Sequence, residues 1–512
     1  MPDTYHHPAA SDTPSGLHRG AVGRLSLLGQ SVASIGPSIG AAAFFPFAFA
    51  EAGNATWISV VIATVAVLLI GTCIAYIARY RVSPGALYSY IPAGLRSAAA
   101  GYLSGIAGLT LGVAATFACV FGFGIYFDAF LQEAHIGHLS SGQIAWIAVL
   151  AFLCAAGLSV LEIRISTRVL LAVEIISMTA ITALLIAVLA QHRGGVISHQ
   201  ILAGHGAGVH GVILGALFFI LGFGGFESAA ALSGEARTPR RSVPLVVVAS
   251  VLIVAGFFVL NAYVQVLGFQ GTGSSLADQA FPLASLGQMY HVGWLATIVA
   301  LGVAVSFFSA MNAFMNYTVR MALQISRDRL LPAALGRIHP RTGAPYVAAG
   351  VTVVLIVVGF AVSALTVSQQ TMFQDVSTFN GYLFSLLYLL VCLAAIGWVL
   401  QRAHRLAGII IAGILGAASM GAEFYYSLVP FPAYPANVPL IVFLCVVGAA
   451  LLTYGVVRVC SPTAAARPLH AQAPEGADAP ATPAMAGPRT PGNTDELAFD
   501  SQNKRQNYTD PL

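Results

Sequence analysis

Long apolar stretches alternate with short polar segments along most of the chain, from residue 25 to residue 460. A helix that crosses about 30 Å of bilayer hydrocarbon needs about 20 apolar residues. The pattern predicts an all-α fold with twelve transmembrane helices, at 25–51, 55–78, 97–131, 142–161, 168–190, 209–233, 243–267, 287–324, 345–366, 372–400, 406–428 and 437–459. The stretches at 97–131 and 287–324 are longer than one straight crossing needs, which predicts tilted helices or helices that extend beyond the bilayer.

Composition supports a membrane location. Of the 512 residues, 57% are hydrophobic and 8% are charged, whereas about 25% of the residues of an ordinary soluble domain are charged. A soluble chain this apolar would expose patches far larger than the few hundred Å² that monomers tolerate, so the surplus apolar surface faces lipid. The composition thus predicts a polytopic integral membrane protein and excludes a soluble domain.

The distribution of basic residues predicts the orientation. Lys and Arg resist translocation and therefore mark the cytoplasmic side. With the N-terminus inside, every one of the 23 Lys and Arg residues except Arg193 lies in a predicted cytoplasmic segment. This alternation supports the helix count, because one missed span would invert every later loop. We expect a bacterial-type inner (plasma) membrane as the location, with both termini in the cytoplasm.

The two ends of the chain differ from the region between them. Residues 1–22 and 461–512 are polar and rich in Pro, Ala and Gly. Such segments bury too little apolar area to offset the entropy cost of ordering. We therefore expect a disordered cytoplasmic tail at 1–22, a transmembrane domain at 23–460 and a second disordered cytoplasmic tail at 461–512.

Clusters of Gly and Pro interrupt two of the predicted helices. The first span contains SIGPSIG at 34–40, and the sixth contains LGFGGFE at 221–227. Proline removes a backbone donor and glycine weakens a helix, yet irregular backbone cannot face lipid, so both segments should line a cavity enclosed by protein. Close helix packing through small residues is the alternative, but it explains Pro37 and the paired positions poorly.

The spacing of the two clusters predicts internal symmetry. The second cluster lies five spans after the first, and because five is odd, the second group of helices starts from the opposite side of the membrane. Spans one to five and six to ten would then form an inverted-topology repeat with a broken helix at the start of each half. This arrangement is typical of secondary transporters that bind their solute near the bilayer midplane.

Three predicted cytoplasmic loops carry motifs of one known family. Residues 83–90 read SPGALYSY and resemble the "PxxGGxYxY" loop of the amino acid-polyamine-organocation (APC) superfamily of permeases. Residues 235–244 read EARTPRRSVP and resemble its "ExxxPxRxxP" pattern. Residues 326–332 and 339–345 read SRDRLLP and HPRTGAP, close to its "ARDGLLP…HPRTGTP" block. The resemblance implies a LeuT-like 5+5 inverted repeat with broken helices 1 and 6, two accessory C-terminal helices, and uptake or exchange of amino acids or amines.

The resemblance also implies a binding site. In this family the unwound first helix offers backbone N–H groups to a substrate carboxylate, and carbonyls of the sixth helix receive the amino group. Unpaired amides and the positive end of a helix dipole favour an anion. The segments that match in this sequence are Ile35, Gly36, Pro37, Ser38, Ile39, Gly40 and Ala41, and Leu221, Gly222, Phe223, Gly224, Gly225 and Phe226. Family members place a substrate-covering aromatic at the position of Phe223 or Phe226, for which core packing is the alternative.

Charged side chains inside a membrane are costly and therefore candidates for function. Glu227 ends the GFE of the sixth span, as in the family, and either accepts hydrogen bonds from the amides of the unwound segment or contacts a substrate ammonium. Glu174 is the only charged side chain at 169–190 and stands where several proton-coupled relatives carry a lysine. We expect Glu174 to bind and release the coupling proton, with a cytoplasmic vestibule or pairing with Arg168 as the alternative.

Polar side chains on the eighth span form a further candidate group. Asn312 shares one helical face with Ser309 and Asn316, at spacings of three, four and seven residues. These side chains either line the path of the ion or solute, or form hydrogen bonds between helices.

The predicted function is secondary active transport of amino acids or related amines, including polyamines, by alternating access, coupled to protons or operating by exchange. The sequence has no P-loop, Ser/His/Asp set or zinc-ligand spacing, so we expect no enzyme activity, metal or cofactor. The expected partners are the small-molecule substrate, protons and the lipid bilayer, with no nucleic acid. A transporter-like sensor that signals through its C-terminal tail is the alternative, and a channel suits two broken helices at one site less well.

Overall fold

A computed structural model describes residues 20–160, 163–192, 195–204, 208–364, 366–402, 406–429, 431–461 and 463. Its regular structure is helical apart from one isolated bridge between Val22 and Ala236. The α-helices are α1 Arg24–Ile35, α2 Pro37–Ala43, α3 Phe45–Ala52, α4 Thr56–Ala78, α5 Leu87–Leu95, α6 Ala98–Glu133, α7 Ser141–Val160, α8 Ile163–Gln191, α9 His199–Leu202, α10 Val209–Gly222, α11 Pro239–Phe269, α12 Pro282–Met289, α13 Gly293–Arg327, α14 Tyr346–Ala364, α15 Gln369–Gln401, α16 Ala407–Leu428 and α17 Val438–Cys460. Most of the two predicted tails lies outside the described residues.

Eleven helical segments in the described part of the chain are long and apolar enough to cross a membrane. They correspond to the second to twelfth predicted spans, and the first of them, Phe45–Ala78, also includes α3. The first predicted span, 25–51, is divided among α1, α2 and α3, none of which is long enough to cross alone. The all-α membrane fold is therefore confirmed, whereas a twelfth crossing stays a prediction.

The central helices pack around α13. This helix runs along α6 and α8, while α11 lies along α4, and α15 contacts α6 and α16. The half-helix α1 lies between α8, α11 and α13. On the outermost helices large apolar side chains point away from the protein, as Leu452, Val456 and Val459 of α17 do. A lipid solvent explains this surface, because hydrocarbon accepts apolar side chains provided that the backbone is hydrogen-bonded internally.

The sequence analysis missed the short helix α5. It lies in the predicted cytoplasmic loop between α4 and α6, and it buries Tyr88 and Tyr90 completely. Gly94 lets the α5 backbone lie directly against the backbone of Ala394 in α15. Nine residues are too few for a transmembrane signal, so hydropathy could not identify this helix.

Candidate functional site

The first helix break lies where the sequence predicts it. Helix α1 ends at Ile35 because Gly36 adopts the left-handed conformation, with φ 61° and ψ 63°. Pro37 begins α2 and has no N–H to donate, so the carbonyl of Ala33 loses its usual helical partner. At the start of α2, the amides of Ser38 and Ile39 have no acceptor within the helix. The break therefore presents free backbone groups in the protein interior.

The second break also contains a glycine in the left-handed conformation. Helix α10 ends at Gly222, and Gly225 takes a left-handed φ of 94° before a 3₁₀-helix at Phe226–Leu232. A side chain on Gly225 would meet the first break, because its Cβ would lie 2.9 Å from the Cβ and 3.0 Å from the carbonyl oxygen of Ser34. The two interrupted helices are thus in contact at their breaks.

Hydrogen bonds join the two breaks directly. Ser31 donates its hydroxyl to the carbonyl of Phe226 at 2.8 Å and accepts from the amide of Ala229 at 3.3 Å. Ser228 donates its hydroxyl to the carbonyl of Gln30 at 3.2 Å. Side chains of one broken helix therefore satisfy backbone groups of the other, as buried irregular backbone requires.

Glu227 anchors the second break to α15. Its carboxylate accepts a hydrogen bond from the Tyr388 hydroxyl at 2.7 Å, and the same hydroxyl accepts from the amide of Gly225 at 3.1 Å. The ring of Tyr388 also packs against Phe226, with centroids 5.3 Å apart. This geometry supports the first of the two roles considered for Glu227, stabilisation of the unwound segment. Tyr388 itself gave no sequence signal, because a tyrosine in an apolar helix usually indicates packing.

Glu174 lies beside the first break. It is fully buried, and one carboxylate oxygen accepts a hydrogen bond from the Ser306 hydroxyl of α13 at 2.5 Å. The Ser38 hydroxyl of α2 also faces this carboxylate but makes no hydrogen bond with it. Within the described residues, the second carboxylate oxygen of Glu174 has no hydrogen-bond partner. Complete burial argues against a carboxylate in a water-filled vestibule.

Asn312 joins α13 to two neighbouring helices. Its amide donates to the carbonyl of Ala155 at 2.6 Å, and its oxygen accepts from Ser166 at 2.7 Å and from Asn316 at 3.0 Å. These bonds connect α13 to α7 and α8, which supports the interhelical role that the sequence left open.

A buried ion pair extends this network. Arg320, 1% exposed, contacts Asn316 and pairs with Glu235 through two hydrogen bonds of 3.1 Å each. The sequence analysis assigned Arg320 to the cytoplasmic basic set, and only the three-dimensional fold shows its partner. The guanidinium bridges α13 to the loop that follows the second break.

The loop motifs that carry the family resemblance contact one another. The Tyr88 hydroxyl donates to a carboxylate oxygen of Asp328 at 2.6 Å, which connects the first motif to the third. Ser233, just before the second motif, donates its hydroxyl to the carbonyl of Ser83 at 2.9 Å. Val22 forms backbone hydrogen bonds of 3.0 Å with Glu235 and Arg237. These contacts join the loops and the segment before α1 at the end of the protein predicted to be cytoplasmic.

We expect Asp328 to make the stability depend on pH. Burial raises the pKa of this carboxyl, although hydrogen bonds from Tyr88 and Gln324 oppose the shift. Between the unfolded pKa of about 3.9 and the higher folded pKa, the folded state binds more protons, so stability falls as pH rises, by up to about 1.4 kcal/mol per pH unit. In thermal unfolding at a series of pH values, Asp328→Asn should remove this slope, and Asp278→Asn, at an exposed site, should keep it. An unchanged slope in Asp328→Asn would contradict the assignment.

Comparison with known proteins places this fold in a class and a family. The family model described as "Amino acid permease" matches residues 24–451. An uncharacterized transporter of Mycobacterium tuberculosis is 30% identical over 361 residues, covering 69% of this chain and 75% of that protein. The protein is therefore a multi-pass membrane transporter and not an enzyme. It belongs to the amino acid permease family, within the APC superfamily.

Other relatives match shorter regions. Cationic amino acid transporter 4 of Homo sapiens is 29% identical, over 35% of this chain and 27% of its own length. The branched-chain amino acid permease BcaP of Bacillus subtilis is 25% identical, over 28% of this chain and 30% of its own length. Among solved structures, the manganese transporter of Eremococcus coleocola aligns with a TM-score of 0.53 and 14% identity, over 85% of this chain and 95% of that chain. This last likeness concerns the fold alone.

Proposed function

We propose that this protein is a secondary active transporter that moves an amino acid or related amine across a bacterial-type inner membrane by alternating access. The observation that carries the proposal is the direct contact between the two helix breaks, where Gly225 lies against Ser34. Backbone N–H and C=O groups that lack a helical partner meet there in the protein interior. An α-amino acid carries one carboxylate and one ammonium, which suit free amides and free carbonyls respectively.

The helices can be divided into a five-plus-five repeat. In this proposal α1, α2 and α3 together form the first crossing, which gives twelve crossings in all. The first half ends with α8, and the second half runs from α10 to α15. The remaining helices α16 and α17 would be accessory, and both termini would lie in the cytoplasm, which the distribution of basic residues supports.

The substrate's charged groups would be held by backbone. The amides of Ser38 and Ile39 would receive its carboxylate, and the carbonyls of Gly222 and Gly224 its ammonium, since those of Leu221 and Phe223 already accept hydrogen bonds from the Gly224 and Phe226 amides. The names of the relatives do not identify one substrate, because both a cationic amino acid transporter and a branched-chain amino acid permease are among them. Backbone recognition of the two α-groups explains how one framework serves different side chains, since it leaves the side chain to be recognised elsewhere.

The proposed coupling site is Glu174. Its carboxyl contacts α13 through Ser306 and faces Ser38 in the first binding segment. Whether Glu174 carries a proton decides whether a negative charge is buried beside that segment, so proton binding and substrate binding are linked through this contact. One carboxylate oxygen of Glu174 has no hydrogen-bond partner among the described residues, so it is available to bind the proton.

We expect Glu174→Gln to remove the response of uptake to an imposed pH gradient, because glutamine mimics the protonated carboxyl but cannot release a proton. The measurement is uptake of labelled amino acids by the purified protein in vesicles, with and without a gradient. Glu423→Gln is the matched control, since Glu423 of α16 is also buried but lies on an accessory helix. A wild-type response in Glu174→Gln would disprove the coupling role, and no uptake of any amino acid or amine by the wild-type protein would disprove the transport proposal.

A further inference from the structure

The aromatic side chains of the second break fill the protein interior. Phe223 and Phe226 are each 0% exposed. The ring of Phe223 packs against Phe258 with centroids 5.2 Å apart, and the ring of Phe226 packs against Tyr388. Phe258 in turn contacts Gly40 of α2. These rings therefore support the backbone of the site and leave no open face for a solute.

Four other apolar side chains at the junction of the breaks keep some exposure although they are deep in the protein. Ile35 is 6% exposed, Ile39 8%, Phe314 7% and Phe384 6%. Ile39 lies over Gly36, and the ring of Phe384 lies over Gly224, so both contact a break directly. The Phe314 and Phe384 rings are 6.5 Å apart. We call these four residues the apolar collar.

The space beside the first binding segment is also mostly apolar. A cavity of about 50 Å³ begins at Ala42, one residue beyond the first binding segment. Tyr126, Phe281 and Val303 are among its lining residues, and it reaches Glu133 at the end of α6 that is predicted to be external.

The charged groups near the junction are already engaged. Glu227 is held by Tyr388, and Arg320 is held by Glu235. Glu174 has a carboxylate oxygen without a partner among the described residues, but it is neutral when it carries the proposed coupling proton. A charge on the substrate side chain would therefore be buried at the collar, where the described charged side chains nearby already have hydrogen-bond partners, which is unfavourable.

We propose that the solute is a neutral amino acid with an apolar side chain, which the collar of Ile35, Ile39, Phe314 and Phe384 surrounds. This inference rests on the proposed function and adds the substrate class to it. The backbone groups of the breaks bind the charged α-carboxylate and α-ammonium, and the collar binds the side chain. Each buried methylene of the solute should strengthen binding about fourfold.

The test is direct uptake of labelled leucine, phenylalanine, lysine, glutamate and putrescine by the wild-type protein in vesicles. We expect kcat/KM for leucine or phenylalanine to exceed that for the three charged solutes by at least about 100-fold, because a site rejects a group that it would bury unpaired. Preferred uptake of lysine, glutamate or putrescine would overturn the inference and leave the transport proposal intact. Absence of all uptake would overturn both.

Variants of the collar test its location. Phe384→Ala should raise KM for the preferred neutral amino acid at least about tenfold, because the truncation removes several carbon atoms of contact. The matched control is Phe424→Ala, whose ring packs against Phe443 of α17, 5.8 Å between centroids, away from the breaks. If Phe384→Ala does not fold, Ile39→Val removes a single methylene and should raise KM about fourfold. Unchanged KM values in folded collar variants would contradict the assignment.

Discussion

Replacing Gly225 by alanine should reduce transport by at least about 100-fold in a protein that still folds. Two costs combine at this position. A left-handed conformation costs a residue with a side chain about 1–2 kcal/mol, and Gly225 has a φ of 94°. The new Cβ would also lie 2.9 Å from the Cβ of Ser34, which is closer than two carbon atoms tolerate. The breaks must therefore separate, and a displacement of about 1 Å at a binding site can cost about 100-fold in rate.

A matched glycine in a helix provides the control. Apart from the adjacent backbone of its own helix, Gly256 of α11 has no atom within 4 Å of the position that a Cβ would occupy, so Gly256→Ala should keep wild-type uptake and stability. Uptake in vesicles and thermal unfolding in detergent measure the two effects separately. Normal uptake in Gly225→Ala would show that the contact between the breaks is not needed for transport.

The second large effect concerns the buried ion pair. Arg320→Met should destabilise the protein by about 3–5 kcal/mol, because it leaves the Glu235 carboxylate buried without its partner. The double variant Arg320→Met/Glu235→Leu should regain most of this loss, since well-packed apolar residues can replace a buried pair at little cost. The side chains involved are the two that make the paired hydrogen bonds of 3.1 Å.

Unfolding free energies of the wild type, both single variants and the double variant give the coupling energy of the pair. The expected coupling is large because neither residue is exposed to a solvent that could replace its partner. Equal stability of Arg320→Met and the wild type would mean that water or another group satisfies Glu235.

The fold could be predicted from the sequence to the extent that it depends on local chemistry. Apolar length predicted the membrane helices, and Pro37 and the neighbouring glycines predicted the break between α1 and α2, because a missing N–H interrupts a helix wherever it occurs. The paired positions of the two breaks also predicted that they serve one site, and the structure places them in contact. These signals depend only on nearby residues or on the order of spans.

The remaining features depend on residues far apart in the chain. Glu227 and Tyr388 are 161 positions apart, and Tyr88 and Asp328 are 240 apart. Hydrogen bonds of this kind follow from how helices pack, which periodicity does not determine. For the same reason the sequence analysis named Phe223 and Phe226 as candidates, whereas the structure leaves residual exposure at Phe384, on a helix that the break motifs do not include.

The bridge between Val22 and Ala236 has a mechanical consequence. The segment before α1 is tied to the loop after the second break by two backbone hydrogen bonds, and Ser31 ties α1 to Phe226 further along. One contact lies before α1 and the other lies within it, so α1 and the 226–232 helix are held together at two points. A movement of α1 must therefore carry the 226–232 helix with it, or the backbone hydrogen bonds of Val22 must break first.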